Sequence, residues 1–308
     1  MFAYIIRRLL GAVPVVVGVI TVVFILTTIV PGDPARIMMG QRGDPATIER
    51  IRKEMGLDDP ILVQYVNFFR RAIVFDLGKS YRNNMPVTQA ILQRLPVSAK
   101  LAFFSMILAV VMGVTIGIIS AVKQYSFLDY VSMLIALLGI SAPTFWVGVL
   151  LVLLFCVVLG WIPGIGTGKG EWYYFILPVL TLGVRPAALI ARLTRSSMLE
   201  IIRQDYIRTA RAKGLAERVV IIKHALRNAM IPVVTIIGSQ TASLLSGVVL
   251  TETIFALPGI GRLSVEALIN RDFPVMRGVV LFMALCFVFA NLLVDLSYPL
   301  FDPRIKYD

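Results

Sequence analysis

Chemistry-bearing side chains are scarce in this chain. Its 308 residues hold one histidine, His224, and two cysteines, Cys156 and Cys286. A metal site needs several ligands at close spacing, and one histidine with two isolated thiols does not supply them. A catalytic histidine needs a nucleophile and an orienting acid in reach, and His224 sits in a basic loop. Both cysteines lie inside apolar runs, where a thiol behaves as a small hydrophobe, so no disulfide is expected. Charge is thin too, with Asp, Glu, Lys and Arg at 16% of residues. No complete phosphate loop is present. Gly164-Ile165-Gly166-Thr167-Gly168-Lys169-Gly170 comes nearest, but Pro163 replaces its first glycine, and Gly170 stands where Ser or Thr would hold magnesium. That run is read as a turn, and the chain is not expected to hydrolyse ATP or to bind a cofactor.

What is present in excess is apolar sequence. Hydrophobic residues make up 58% of the chain and mean hydropathy is +0.84. Soluble domains usually hold about 45–50%. The excess sits in blocks, so the fold class is an all-α polytopic membrane protein with six transmembrane helices. Span 1 covers about 9–30 and ends at Pro31-Gly32-Asp33-Pro34. With Arg7 and Arg8 before it and no small-residue cleavage site after it, it reads as a signal anchor with the N-terminus in the cytoplasm. The others are about 97–122, 131–161, 174–193, 229–250 and 276–298. Alternation puts both termini inside. No inverted pair of broken helices appears, which weighs against secondary-transporter architectures.

Residues 31–94 form an external helical segment. Asp44-Pro45 opens one helix and Gly56 closes it, and Asp59-Pro60 opens a second, whose Tyr65, Phe68, Phe69, Arg70 and Arg71 suit a membrane–water interface. Gly113 and Gly117 in span 2 favour close helix packing. Three features are candidate lining of a pathway. Ser141-Ala142-Pro143 interrupts span 3, and backbone freed at membrane depth survives only against protein or a wet cavity; a packing kink is the alternative. Arg185 in span 4 is expensive in lipid unless paired or wetted. It is expected to face the bundle, and touches substrate or serves a structural pair. Span 5 is rich in small hydroxylated residues, among them Gln240 and Ser243, unsuited to face lipid all round.

The net charge of +12 concentrates in one place. Residues 192–227 hold nine Lys or Arg and three acids, an excess of six. A connection this basic is expected to stay in the cytoplasm. Within it Asp205-Tyr206-Ile207-Arg208-Thr209-Ala210-Arg211-Ala212-Lys213 reads as a short helix, with Asp205 as its cap and Gly214 as a turn residue free to take φ > 0. Ala210 and Ala212 are small enough to let another surface approach. A second helix, roughly 216–227, leads into span 5. The basic residues are not interleaved with aromatics, so anionic lipid suits them better than nucleic acid.

DYIRTARAKGL (205–215) followed by HALRNAMIPVVT (224–235) resembles the cytoplasmic "EAA" loop of ABC importer permeases, in the version of the peptide, nickel and glutathione class. Only Ala210, Gly214 and Leu226 fit the general pattern, whereas the class version fits the whole stretch. ETIFALPGIGRL (252–263), Arg271-Asp272-Phe273-Pro274-Val275 and the 302–306 tail resemble the same class. The resemblance implies a type I ABC importer transmembrane fold over 95–300, after an N-terminal part at 1–94 and before a cytoplasmic tail at 301–308. It implies a coupling loop at 200–228, with Asp205, Tyr206, Arg208, Thr209, Ala210, Ala212, Lys213 and Gly214 at an ATPase groove. It implies a homologous second permease, two cytoplasmic ATPase subunits that carry ATP and magnesium, and an external substrate-binding protein, all at a bacterial inner membrane. A stand-alone channel or secondary transporter is the rival reading, and it leaves residues 205–227 without a task.

Overall fold

A computed structural model describes residues 2–29, 35, 44–54, 56–162, 166 and 172–301. The 31–34 stop, most of the 163–170 glycine-rich turn and the 302–306 tail lie outside them. Twelve helices follow one another among the described residues. They are α1 (Phe2–Ile29), α2 (Pro45–Glu54), α3 (Ile61–Ile73), α4 (Val87–Val122), α5 (Phe127–Ser141) and α6 (Thr144–Val152), then α7 (Ile176–Ile202), α8 (Asp205–Ala212), α9 (Glu217–Val219), α10 (Arg227–Ile254), α11 (Ile260–Ile269) and α12 (Phe273–Phe301). Wider π-type turns extend α6 through Leu153–Val158 and join α9 to α10 through Val220–Leu226.

Five stretches are long and apolar enough to cross a membrane: Ile6–Leu26, Val87–Val122, Trp172–Ile202, Glu217–Leu244 and Phe273–Val294. The sixth expected span is two helices. Phe127–Ser141 and Thr144–Val158 meet at 107°. Ala142 between them is extended, at φ −72° and ψ 131°. Pro143 explains the break, because its ring disfavours helical geometry at the residue before it. The kink expected in one span is a corner.

The compact units cut across chain order. One combines Phe2–Ser98 with Pro258–Phe289. Here α3 lies on α1 through aromatic rings: Tyr65 and Phe68 approach Phe24 at 5.4 and 5.7 Å, and the Thr21 and Tyr65 hydroxyls are hydrogen-bonded at 2.8 Å. The opposite face of α3, with Leu62, Val66 and Ile73, is exposed. Asp44 accepts from Thr47 N at the start of α2, as the Asp-Pro signal predicts. The stretch expected as an outer loop after span 5 contains α11, whose Ile260, Leu263 and Ala267 pack with Val87, Ile91, Val275 and Val279. Ser80 Oγ donates to buried Asp272 at 2.5 Å, and Tyr81 N donates to the same carboxylate.

The other unit combines Ala99–Leu257 with Ala290–Asp308. Its centre is α7, which buries thirteen of its 27 residues. Lipid is as apolar as leucine, so close packing rather than water exclusion must hold such helices together. Glycines supply it. A Cβ added at Gly113 would stand 2.7 Å from Ala187 O, and one at Gly117 would stand 2.5 Å from Thr194 Cβ, so α4 touches α7 through bare backbone. Gly139 of α5 packs on Val184 and Ala188, and Gly148 of α6 on Thr181.

Candidate functional site

The basic loop folds as α8, a sharp turn, and the start of the next long helix. Gln204, extended at ψ 150°, occupies the cap position, and no side chain caps the helix. Asp205 is therefore the first helical residue and not the cap. It still sits where the helix dipole favours an acid, and pairs loosely with Arg208 at 3.8 Å. The helix ends at Gly214, whose φ of 77° is the left-handed region that glycine enters without strain. Across that turn Arg211 forms a two-pronged ion pair with Glu217, at 2.7 and 3.1 Å. The carboxylate holds the Arg211 guanidinium above its usual range. Tyr206 is tied to the following helix through Asn228 Nδ2, at 2.9 Å.

One face of α8 is turned inward. Ile207 and Ala210 are buried, on a cluster formed by Ala121 of α4, Met198 of α7, and Val220, Ile221, Ala225 and Ala229. Ala210 is 7% exposed. Its small side chain lets α8 settle onto its own unit and is not offered to a partner, unlike the sequence expectation. The reason is helical spacing, since Ala210 stands three residues after the inward Ile207. Asp205, Tyr206, Arg208, Thr209, Ala212, Lys213 and Gly214 form the exposed surface. His224 lies half-buried in the wide turn, where its carbonyl accepts from Asn228 Nδ2.

The candidate pathway residues fall on neighbouring elements of the same unit. Ser141 and Pro143 flank the 107° corner and are exposed. Arg185 on α7 is exposed, and has no hydrogen-bond or ion-pair partner among the described residues. Among the described residues the expected pairing is not found. Arg185, Leu189, Arg192 and Ser196 share a stripe that is open or half-open, while Ala187, Ala188, Ile190 and Ala191 are buried. On α10, Gln240 is half-buried and Ser243 exposed. No hydrogen bond joins Ser141, Arg185 or Gln240 to another side chain among the described residues. The described residues also hold no group of three or more His, Cys, Asp or Glu suited to a metal ion.

One constellation went unread in the sequence. Asp129, 2% exposed, receives both prongs of the Arg195 guanidinium at 2.7 Å each. Ser120 Oγ and Tyr125 N also donate to it. In the sequence Asp129 lies in the short connection between spans 2 and 3, and Arg195 is one of nine cations in the 192–227 stretch. The available signal was that each lies within a turn or two of a span end on the same side.

The comparisons with known proteins agree with this architecture. A family model described as the inner membrane component of binding-protein-dependent transport systems matches residues 113–307, and a second, for the N-terminal part of that component, matches residues 1–102. The dipeptide transport system permease protein DppB of Alkalihalophilus pseudofirmus is 44% identical over 333 residues, with 100% of both chains covered. The glutathione transport system permease protein GsiC of Pectobacterium atrosepticum is 44% identical over 307 residues, again with 100% of both covered. A putative peptide transport system permease of Brucella abortus is 43% identical over 314 residues, with the same coverage. A solved structure of the MetNI methionine ABC transporter in inward-facing form shares the fold at a TM-score of 0.58 and 18% identity, over 70% of this chain and 97% of its own. Spanning both family models and aligning end to end with such permeases, the chain belongs to the family of binding-protein-dependent transport system inner membrane components.

Proposed function

We propose that this permease is one of two homologous membrane subunits of an ATP-driven importer for short peptides or a related small solute such as glutathione. Its relatives carry those substrates in their names. ATP and magnesium would reside on two separate cytoplasmic ATPase subunits, and an external binding protein would deliver the solute. Both termini would face the cytoplasm, at a bacterial inner membrane. The exposed face of α8, with Tyr206, Arg208, Lys213 and Gly214, inserts into a groove on an ATPase subunit. Arg185 and the corner at Ser141–Pro143, with Gln240 and Ser243, face the route between the two permeases.

The single observation that carries this reading is the way α8 is held. It is charged and exposed outside, yet buried beneath on helices α4, α7 and the wide turn before α10. A helix seated this way passes a push directly into two long spans, whereas a loop that only sets topology needs no such seat. The test is to capture the tagged permease from its own membrane in mild detergent and weigh the co-purifying chains. A second permease and ATPase subunits, with ATP turnover lost in Gly214→Asp, are expected. A chain that emerges alone, or only with copies of itself, overturns the proposal. The ligand carried by a captured binding protein identifies the substrate.

A further inference from the structure

We infer that Asp129 and Arg195 form a mechanical linkage that makes the broken span follow the coupling helix. The inference rests on the docking role proposed for α8. Asp129 opens α5, whose far end is the corner at Ala142. Arg195 lies on α7, the helix that runs directly into α8. The carboxylate gathers four donors from three elements. Arg195 supplies two, Ser120 at the end of α4 one, and the Tyr125 amide in the α4–α5 turn one. The same turn is bridged once more, where Arg203 Nη2 reaches Gln124 Oε1 at 3.5 Å just before the cap of α8.

The geometry suits force transmission. A guanidinium on both oxygens of a carboxylate fixes distance and also orientation, which a single contact does not. The acid is buried, so water does not soften the pair. Beside it, Ala121 and Met198 join the cluster that seats Ile207 and Ala210 of α8. The ends of α4 and α7, the start of α5 and the coupling helix thus form one block. Elsewhere α5 rests on α7 by apolar packing, with Gly139 set closely against Val184 and Ala188. The charged clamp adds to that packing a tie fixed in distance and orientation, and so carries motion at the dock to Ser141–Pro143. Asp129 and Arg195 are positioning residues and touch neither solute nor nucleotide.

Arg195→Lys keeps the charge and removes the fork. In proteoliposomes holding the whole complex, the solute moved per ATP hydrolysed is expected to fall at least about fivefold. Co-purification of the ATPase subunits and basal ATP turnover are expected to stay within about twofold. An unchanged ratio in an assembled variant refutes the linkage. So does loss of the ATPase subunits, which would make the pair a structural support of the dock. The native pair allows a second measurement, independent of how the variant folds. Spin labels at Leu128 and Arg218, with Cys156 and Cys286 replaced by alanine, report whether α5 and the loop move together. Their separation is expected to stay fixed between nucleotide-free and ATP-bound complexes, and a changed separation overturns the inference. Absence of ATP-driven uptake by the native complex would instead overturn the importer reading itself.

Discussion

Replacing Gly214 separates the turn from the dock. Its φ is 77°, and a Cβ placed there meets nothing within 4 Å. Any penalty inside the chain is therefore conformational and not steric. An L-residue forced into the left-handed region loses about 1–2 kcal/mol. Gly214→Ala should disfavour the closed turn by that much, a factor of about 5–30. The cluster beneath α8 should survive, since no buried atom is disturbed. Asparagine enters the left-handed region several-fold more readily than other non-glycine residues. Gly214→Asn therefore keeps the turn while placing an amide on the outer surface. The assay is the affinity of the isolated ATPase subunit for the permease pair in nanodiscs, with thermal unfolding in detergent as a fold control. Both variants are expected to bind about tenfold or more weakly, with unfolding temperatures little changed. If Gly214→Ala weakens binding and Gly214→Asn does not, the glycine serves the turn alone. If neither weakens it, the reasoning about the dock is refuted.

Three further expectations follow from the packing. Gly117→Leu drives a side chain into Thr194, where even a Cβ stands at 2.5 Å, and should lower stability by about 1–3 kcal/mol or abolish assembly, read as detergent-resistant unfolding. Arg185→Ala removes an exposed side chain without a partner among the described residues, so expression and unfolding should stay native while uptake falls; unchanged uptake with native folding would end its pathway role. Arg211→Ala breaks an ion pair whose side chains are 38% and 56% exposed, worth about 0.2–1 kcal/mol, so a large stability loss in thermal unfolding would contradict the surface-pair reading.

How much of this was legible depended on whether a feature is local. Span length and apolarity are local, and five spans appear near where the sequence puts them, although α4 begins at Val87, α7 runs on to Ile202 and the span expected at 229–250 begins at Glu217. The glycine pair at 113 and 117 is local too, and its close contact with α7 follows. The interruption at Pro143 was legible, but a 107° corner was not, because its angle depends on how α5 and α6 each pack on α7. The exposure of Arg185 was not legible, because burial of α7 is decided by the elements packed around it, and a single-helix argument does not see them. The clamp between Asp129 and Arg195 joins residues 66 positions apart, and a place near a span end on the same side does not by itself pair them.

Ala210 carries a different lesson. As part of a recognisable loop motif it invites the inference that it touches the ATPase. The fold turns it inward with Ile207, onto Ala121 and Met198. On the docking role proposed for α8, a small residue in it serves the side away from the dock, by letting the helix lie close to the body it must move. A loosely seated coupling helix would absorb a push by tilting on its own. A tightly seated one passes it on. This assigns separate tasks to the two faces of α8, and the tasks separate by experiment. Ala210→Leu enlarges a buried position and should push α8 off its seat, lowering the solute moved per ATP while the outer face still binds the ATPase. Lys213→Glu leaves the seat intact and should weaken ATPase binding itself. If Ala210→Leu lost binding as completely as Lys213→Glu while uptake per bound ATPase stayed native, the division between seat and dock would be wrong.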